Sequence, residues 1–193
     1  MSAYDYGTLL ADAVHYSDKG DIIPLFPGFL RRVESVLNRD LRLSGMEKQT
    51  SLALVDGMVS VPNDCLEIIQ IRDERNCVLV CLPLDAFNEG RRGTILLSGT
   101  IRVSGFPSAA KITITYYGRL PSLSVVAPQN WLLDQGYDIY LYGVVREIGL
   151  WEQNTDKVTS AMKLYDAAVQ SLQRSDTRFR NSGKRIIVGG PTP

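Results

Sequence analysis

Residues Asn130–Gly183 read NWLLDQGYDIYLYGVVREIGLWEQNTDKVTSAMKLYDAAVQSLQRSDTRFRNSG and predict two long helices joined by a short link. In each half, apolar residues recur at steps of three and four, which places them on one helix face. Asn130 and Asn154 or Thr155 are predicted N-caps, because their side-chain oxygens can accept unpaired first-turn N–H groups. Asn181-Ser182-Gly183 is a suitable end, since Asn and Gly tolerate a left-handed backbone. Two such helices should fold back as an antiparallel hairpin.

Two further helices are predicted near the N-terminus. Residues 5–17 form the shorter one, in which Gly7 weakens the start. Pro24–Arg39 forms the stronger one, because its large apolar residues lie on one stripe. Pro27 is acceptable only in the first turn of this helix, where its missing N–H would have no partner in any case.

The middle of the chain changes to the two-residue period of β-strands. Three antiparallel hairpins are predicted: Thr50–Val61 about Asp56-Gly57, Leu66–Leu82 about Asp73–Asn76, and Thr94–Ser104 about Ser98-Gly99. Lys111–Tyr117 is the clearest single strand, because its apolar residues alternate strictly with polar ones.

This segregation of helices and strands predicts the α+β class. The expected architecture is a helical bundle, made of N-terminal helices and the long C-terminal helix hairpin, with an inserted antiparallel β domain and an extended C-terminal arm. The predicted segments are 1–45 for the N-terminal helices, 46–128 for the β domain, 129–182 for the hairpin and 183–193 for the arm.

Composition narrows the possible functions. The 193 residues are 45% apolar and 22% charged, which is ordinary for a globular protein. Lys and Arg equal Asp and Glu at 21 each, so no global basic field favours DNA binding. No apolar run approaches the roughly 20 residues that span a bilayer, so no membrane partner is expected, and the N-terminus lacks a secretory signal pattern. Cys65, Cys77 and Cys81 are expected to be reduced core thiols.

No enzyme is predicted. The common nucleotide, phosphate, zinc and calcium motifs are absent from the sequence, and no catalytic, cofactor or metal site is expected. The single histidine, His15, has no evident catalytic partner, so a surface or packing role is favoured. The small basic clusters Arg31-Arg32 and Arg91-Arg92 could touch phosphate, but acidic residues surround each of them.

The C-terminal residues leave the helix as a basic segment. Five Lys and Arg side chains against one Asp give a net charge of +4 over residues 174–193. Within it, Arg185–Val188 is prone to form a strand. One interpretation is a solvated terminus. The other is a segment that becomes ordered on a partner by pairing with a sheet edge.

Gly136 and Gly143 are seven residues apart and would share one face of the first hairpin helix. Each costs about 1 kcal/mol relative to Ala in a helix interior. They are either tolerated without a role, or they form a close-packing helix stripe where a backbone from this fold or from a neighbouring subunit approaches.

Several short stretches together resemble the head-to-tail adaptor (connector) proteins of short-tailed bacteriophages. The resemblance covers roughly residues 24–183, and its motifs, given by their residues, are Asn38–Arg42, Val61–Asp64 with Leu66-Glu67, Ile114–Pro121, Asn130–Leu133, Asp138–Gly143, and Asp176, Arg178, Arg180 and Ser182-Gly183 in the last helix.

The resemblance implies a structural virion protein, made in the host cytoplasm and located at the portal–tail junction. Such adaptors form a usually dodecameric ring between the portal protein and the tail nozzle or tail-tube protein, and DNA passes through the channel without sequence recognition. Their C-terminal arm commonly reaches the portal, which gives the hypothetical portal-binding residues Arg178, Phe179, Arg180, Lys184, Arg185, Ile186, Ile187 and Val188. The alternative is a tail-tube or gatekeeper module that contacts DNA through the paired arginines.

Overall fold

A computed structural model describes residues 4–17, 20–107 and 110–182 of the chain. Along the chain, helices precede and follow a series of antiparallel strands, so the predicted α+β class is confirmed. The chain divides into two compact units, which we name the helical unit and the β unit. The helical unit consists of the described residues of Met1–Gly45 and Leu120–Pro193, and the β unit is Met46–Arg119.

Six α-helices lie in the described residues, and the two near the N-terminus and the last one occupy nearly their predicted positions. They are α1 (Tyr6–Ser17), α2 (Phe26–Asp40), α3 (Leu84–Asn88), α4 (Trp131–Gln135), α5 (Tyr137–Trp151) and α6 (Thr155–Asn181). Both predicted asparagine caps are confirmed, since Asn130 accepts the Leu133 N–H at 2.8 Å and Asn154 accepts the Lys157 N–H at 3.0 Å. Pro27 lies in the first turn of α2, as predicted.

The core of the helical unit forms where α2 packs on α5. Phe29 and Trp151 approach with ring centroids 6.4 Å apart. One turn further along α2, Arg32 donates to the buried carboxylate of Glu147 at 2.9 Å. Arg146 donates to the second oxygen of the same carboxylate at 2.8 Å, so this buried charge is paired on both sides.

Residues 120–128 lie in the helical unit, although the sequence predicted them as part of the β domain. Two side chains of α2 hold this connector by its backbone: Asn38 accepts the Leu120 N–H at 2.8 Å and Glu34 accepts the Leu123 N–H at 2.7 Å. Burial raises the pKa of Glu34 and outweighs the hydrogen bond from the Leu123 N–H, which lowers it. These contacts join residues more than 80 positions apart, so local sequence patterns could not show them. Independent folding of the predicted domains remains a prediction.

The β unit contains two three-stranded antiparallel sheets with one shared core. The strands are β1 (Glu47–Ala53), β2 (Met58–Ser60), β3 (Cys65–Asp73), β4 (Gly93–Leu97), β5 (Thr100–Ser104) and β6 (Lys111–Gly118). Their orders are β1-β6-β3 and β2-β5-β4. Ile112, Ile114 and Tyr116 of β6 are buried, as the alternating pattern predicted.

Of the three predicted hairpins, only Thr94–Ser104 is confirmed as a complete strand pair. The Asp56-Gly57 turn exists with positive φ at both residues, yet β1 pairs with β6 and β2 pairs with β5. In Leu66–Leu82, β3 also pairs with β6, and its predicted partner contributes one bridge, Arg72 with Val78. A turn motif identifies a reversal of the chain, but the buried face of β6 determines which strands pair.

The first hairpin helix was predicted as continuous from Asn130 to Trp151, and this is wrong. It breaks at Gly136, where φ is −148° and ψ is 53°, into α4 and α5. A Cβ at this position would lie 2.9 Å from the Ile139 Cδ1, so a larger residue here would require the Ile139 side chain to shift. Because Gly136 ends one helix and begins the next, it cannot share a helix face with Gly143.

Candidate interaction surface

Helix α6 is buried along its first half and exposed along its second half. Ala161, Tyr165 and Ala168 are buried, and the guanidinium of Arg146 from α5 lies 5.4 Å from the centre of the Tyr165 ring. Over residues 170–182, only Leu172 and Asp176 are even half-buried. The second half of α6 is therefore a helix held mainly by these two side chains.

Asp176 fixes the second half of α6 to the segment that follows α2. One carboxylate oxygen accepts both the backbone N–H of Ser44, at 2.9 Å, and the Ser44 hydroxyl. The other accepts Arg180 Nε at 2.7 Å. Burial opposes ionisation of this carboxyl, but the bonds from Ser44 and Arg180 outweigh it and hold the pKa of Asp176 below its usual range. We call this contact the Asp176 clasp.

A groove of about 650 Å³ runs beside the clasp within the helical unit. Its apolar lining consists of Leu43, Gly45, Trp131, Gly136, Ala168, Leu172 and Phe179, and its polar lining of Ser44, Gln135, Asp138, Ser171, Ser175 and Asp176. The Trp131 ring lies directly on Gly45, since a Cβ there would be 2.9 Å from the ring. Two aromatic rings and two carboxylates thus border one groove.

The opposite face of the same helix half is polar and basic. Arg174 and Arg178 lie one turn apart and border a shallow surface with Gln170, Gln173 and Thr177. Phe179, which belongs to the groove face, is 72% exposed. The second half of α6 therefore presents an aromatic side chain on one face and two arginines on the other.

Of the hypothetical portal-binding residues, the structure describes three. Arg178 and Phe179 are exposed on different faces of α6, and Arg180 belongs to the Asp176 clasp. Lys184, Arg185, Ile186, Ile187 and Val188 lie outside the described residues, as does the rest of the predicted arm, 183–193. Their role remains a prediction.

The two glycines predicted as one stripe have separate positions. Gly136 lines the groove together with Phe179. Gly143 lies inside the helical unit, where an added Cβ would be 2.8 Å from Val33 Cγ1 of α2 and 3.5 Å from the Tyr165 ring of α6. Gly143 therefore makes a close approach within this chain.

The small basic clusters lie against acidic side chains. Arg32 contacts Glu147, Arg91 lies 3.5 Å from Glu89, and Arg92 lies 2.5 Å from the buried carboxylate of Asp73. These pairs reduce the positive charge that each cluster could present to phosphate.

Cys77 and Cys81 are exposed, so the prediction that they are core thiols is wrong for these two. They lie in the irregular segment after β3, where Leu79 is the residue that enters the core. Cys65 is half-buried, and burial raises the pKa of its thiol.

Two other features of the described residues bear on function. No group of three or more His, Cys, Asp or Glu side chains could hold a metal ion there. None of the helices in the same described part is long and apolar enough to cross a membrane.

The motifs that carry the resemblance supply hydrogen bonds that hold turns and connectors. In the β unit, Asp64 accepts from Lys48 at 2.6 Å and from the Tyr116 hydroxyl at 3.1 Å. In the helical unit, Asn130 donates to the Pro121 carbonyl at 2.8 Å and to the Tyr140 hydroxyl at 2.9 Å. Their main described role is to hold backbone and side chains in place.

Sequence reasoning missed Ser44 and Trp131 as parts of the interaction surface. Ser44 and Asp176 are 132 positions apart, and no local sequence pattern predicts their contact. Trp131 was identified only as a residue of a motif, and its place in a groove depends on the break at Gly136. An available signal was the acidic Asp176 within an otherwise basic helix end.

A comparison with known protein families identifies a match over most of the chain. The family model described as SU10 adaptor protein matches residues 4–186, which is nearly the whole chain. No curated protein matches the chain.

Proposed function

This chain belongs to the SU10 adaptor protein family, and on that premise we propose that it forms the ring that joins the portal of a short-tailed bacteriophage to its tail. Membership makes it a structural adaptor protein of a phage, a component of the virion. The proposed ring is dodecameric, its channel conducts DNA without sequence recognition, and its tail-side partner is the nozzle or tail-tube protein.

The observation that supports the portal contact is the exposed second half of α6. A monomer gains little from leaving Phe179 72% exposed beside a groove, whereas a binding surface uses such an aromatic side chain as an anchor. The Asp176 clasp holds this helix end in one direction. It would therefore point the residues that follow α6 toward a fixed place in each subunit.

The proposed contact continues into residues 183–193. Arg178, Lys184 and Arg185 would meet acidic side chains of the portal, with Arg180 contributing from the clasp. Ile186-Ile187-Val188 would add a strand to a portal sheet or fill an apolar groove. The arm thus combines charge for steering with apolar area for affinity.

The DNA-contacting alternative has less support. Three of the four arginines that it would use lie against acidic side chains, and the chain has no net charge. Each contact with a phosphate adds salt-dependent affinity for DNA, and such affinity would slow DNA that moves through a channel. A neutral chain is compatible with such a conduit.

The native mass of the chain, alone and mixed with its cognate portal, tests this proposal by light scattering after size exclusion. A small species alone that joins the portal as a complex one ring larger is the expected result. It would also place ring assembly on the portal. Absence of a complex at every salt concentration would contradict the portal contact, and steep salt-dependent DNA binding would favour the alternative.

A further inference from the structure

The groove beside α6 has the chemistry of a site for a basic, apolar peptide. Trp131 and Phe179 border it, and aromatic faces attract Arg and Lys as well as apolar side chains. Asp138 supplies negative charge, whereas the charge of Asp176 is already paired with Arg180, and no Lys or Arg is among the described residues that line the groove. An extended segment with one or two basic residues beside aliphatic ones would satisfy both parts of this lining.

The chain itself contains such a segment directly after α6. Residues 184–188 are Lys-Arg-Ile-Ile-Val, which pairs two positive charges with three aliphatic side chains. From Ser182 back to Leu172, which lines the groove, the distance along the helix is about 15 Å. Residues 183–188 in extended form cover about 20 Å, so they could follow the groove to that point.

We propose that residues 184–188 dock in the groove of their own subunit before the portal is met, and that the portal displaces them. The inference rests on the proposed function, because it assigns a resting place to the same arm. A short tether gives the arm an effective concentration on the order of mM at the groove. Only subunits with an undocked arm can bind the portal. The apparent affinity for the portal is therefore the intrinsic affinity multiplied by the fraction of subunits whose arm is undocked.

Docking of the arm within its own subunit would restrict ring assembly to the portal. A free arm with three aliphatic residues and two positive charges could pair with other copies in solution. Covered by its own groove, it becomes available only to a partner that competes successfully. The portal is that partner in the proposed function.

A disulfide trap in the full-length chain tests where the arm lies. Ser175 lines the groove and is exposed, so Ser175→Cys together with Ile187→Cys should form a bond under mild oxidation. The native cysteines are first replaced by Ala. The matched control is Thr177→Cys with Ile187→Cys, because Thr177 lies on the basic face of the same helix half.

The expected product is a monomer with an internal disulfide, formed by the Ser175→Cys pair, largely absent from the control and unaffected by dilution. Equal trapping by both pairs, or trapping by neither, would overturn the proposal. A disulfide-linked dimer that disappears on dilution would assign the groove to the arm of a second copy, which also overturns docking within the subunit.

Portal affinity separates this inference from the proposed function. Asp138→Asn keeps the shape of the groove but removes one charge, so the arm is released more often. Portal affinity should then rise, by up to about twofold if the arm covers about half of the wild-type subunits. Ile187→Asp should instead weaken portal binding. Unchanged affinity in Asp138→Asn would overturn the inference alone, whereas a wild-type chain that never binds the portal would overturn the proposed function while leaving the disulfide result intact.

Discussion

Apolar residues recur at the same spacing in both halves of α6, but they are buried in the first half and largely exposed in the second. Tyr165 in the first half is 8% exposed, and Phe179 in the second half is 72% exposed. The reason is the length of the partner helix. α5 has 15 residues and extends about 22 Å, whereas α6 has 27 residues and extends about 40 Å. The apolar stripe of α6 therefore continues beyond the helix on which it packs.

This difference divides one helix into a packed half and an exposed half. The first half buries its stripe against α5 and contributes to the core of the helical unit. The second half has only Leu172 and the Asp176 clasp to hold it, and it presents Phe179 and Arg178 to solvent. Substitutions in the two halves should consequently affect different measurements.

The largest expected change in stability comes from Tyr165. Tyr165→Ala should lower the free energy of unfolding by about 3–5 kcal/mol, because it leaves a cavity among α2, α5 and α6. The matched variant Phe179→Ala should change it by no more than about 0.5 kcal/mol, since its ring is exposed. Denaturant unfolding measures both. Equal losses would show that the second half of α6 is packed as firmly as the first.

A smaller effect is expected at Gly143. In Gly143→Ala the new methyl group meets Val33, a stiff β-branched side chain that is 1% exposed. Overpacking costs about 1–3 kcal/mol and the gain in helix propensity returns about 1 kcal/mol, so a net loss of about 1 kcal/mol is expected. Gly28→Ala in α2 is the control, because nothing lies within 4 Å of its added Cβ. It should stabilise slightly, and stabilisation by both variants would contradict the close approach at Gly143.

An effect of similar size concerns the Asp176 clasp and, unlike the other two, depends on pH. Because folding lowers the pKa of Asp176, the clasp stabilises the fold above the ordinary Asp range, and this contribution is lost as the pH falls through the folded pKa. Asp176→Asn should therefore lower the unfolding free energy by about 1–2 kcal/mol at pH 7. The difference from wild type should shrink as the pH falls below the ordinary Asp range and through the lowered pKa of Asp176. A difference that is independent of pH would mean that the carboxylate charge does not hold the clasp.

Sequence patterns were sufficient to predict the features that depend on residues close together along the chain. The Asn130 and Asn154 caps, Pro27 in the first turn of α2 and the alternation of β6 all arise from contacts within a few residues. These features could be predicted because capping and strand periodicity are local. The α+β class follows from them.

The pairing of distant segments could not be predicted in this way. β1 and β3 both pair with β6 and not with the strands nearest to them in sequence. Ser44 reaches Asp176 across 132 positions. The exposed state of Phe179 depends on where α5 ends, although the spacing alone places Phe179 on the same stripe as Tyr165. Periodicity identifies a face, and the length of the partner determines how much of that face is buried.

The most direct test of the division within α6 is portal docking by a chain that lacks residues 181–193. Circular dichroism and thermal unfolding first establish that the helical and β content are retained. Light scattering then compares this variant with the full chain in mixtures with the portal. We expect a portal complex with the full chain and none with the shortened chain, because the deletion removes the arm and leaves the packed half of α6 intact. Undiminished docking by the shortened chain would contradict the assignment of portal binding to this end of the molecule.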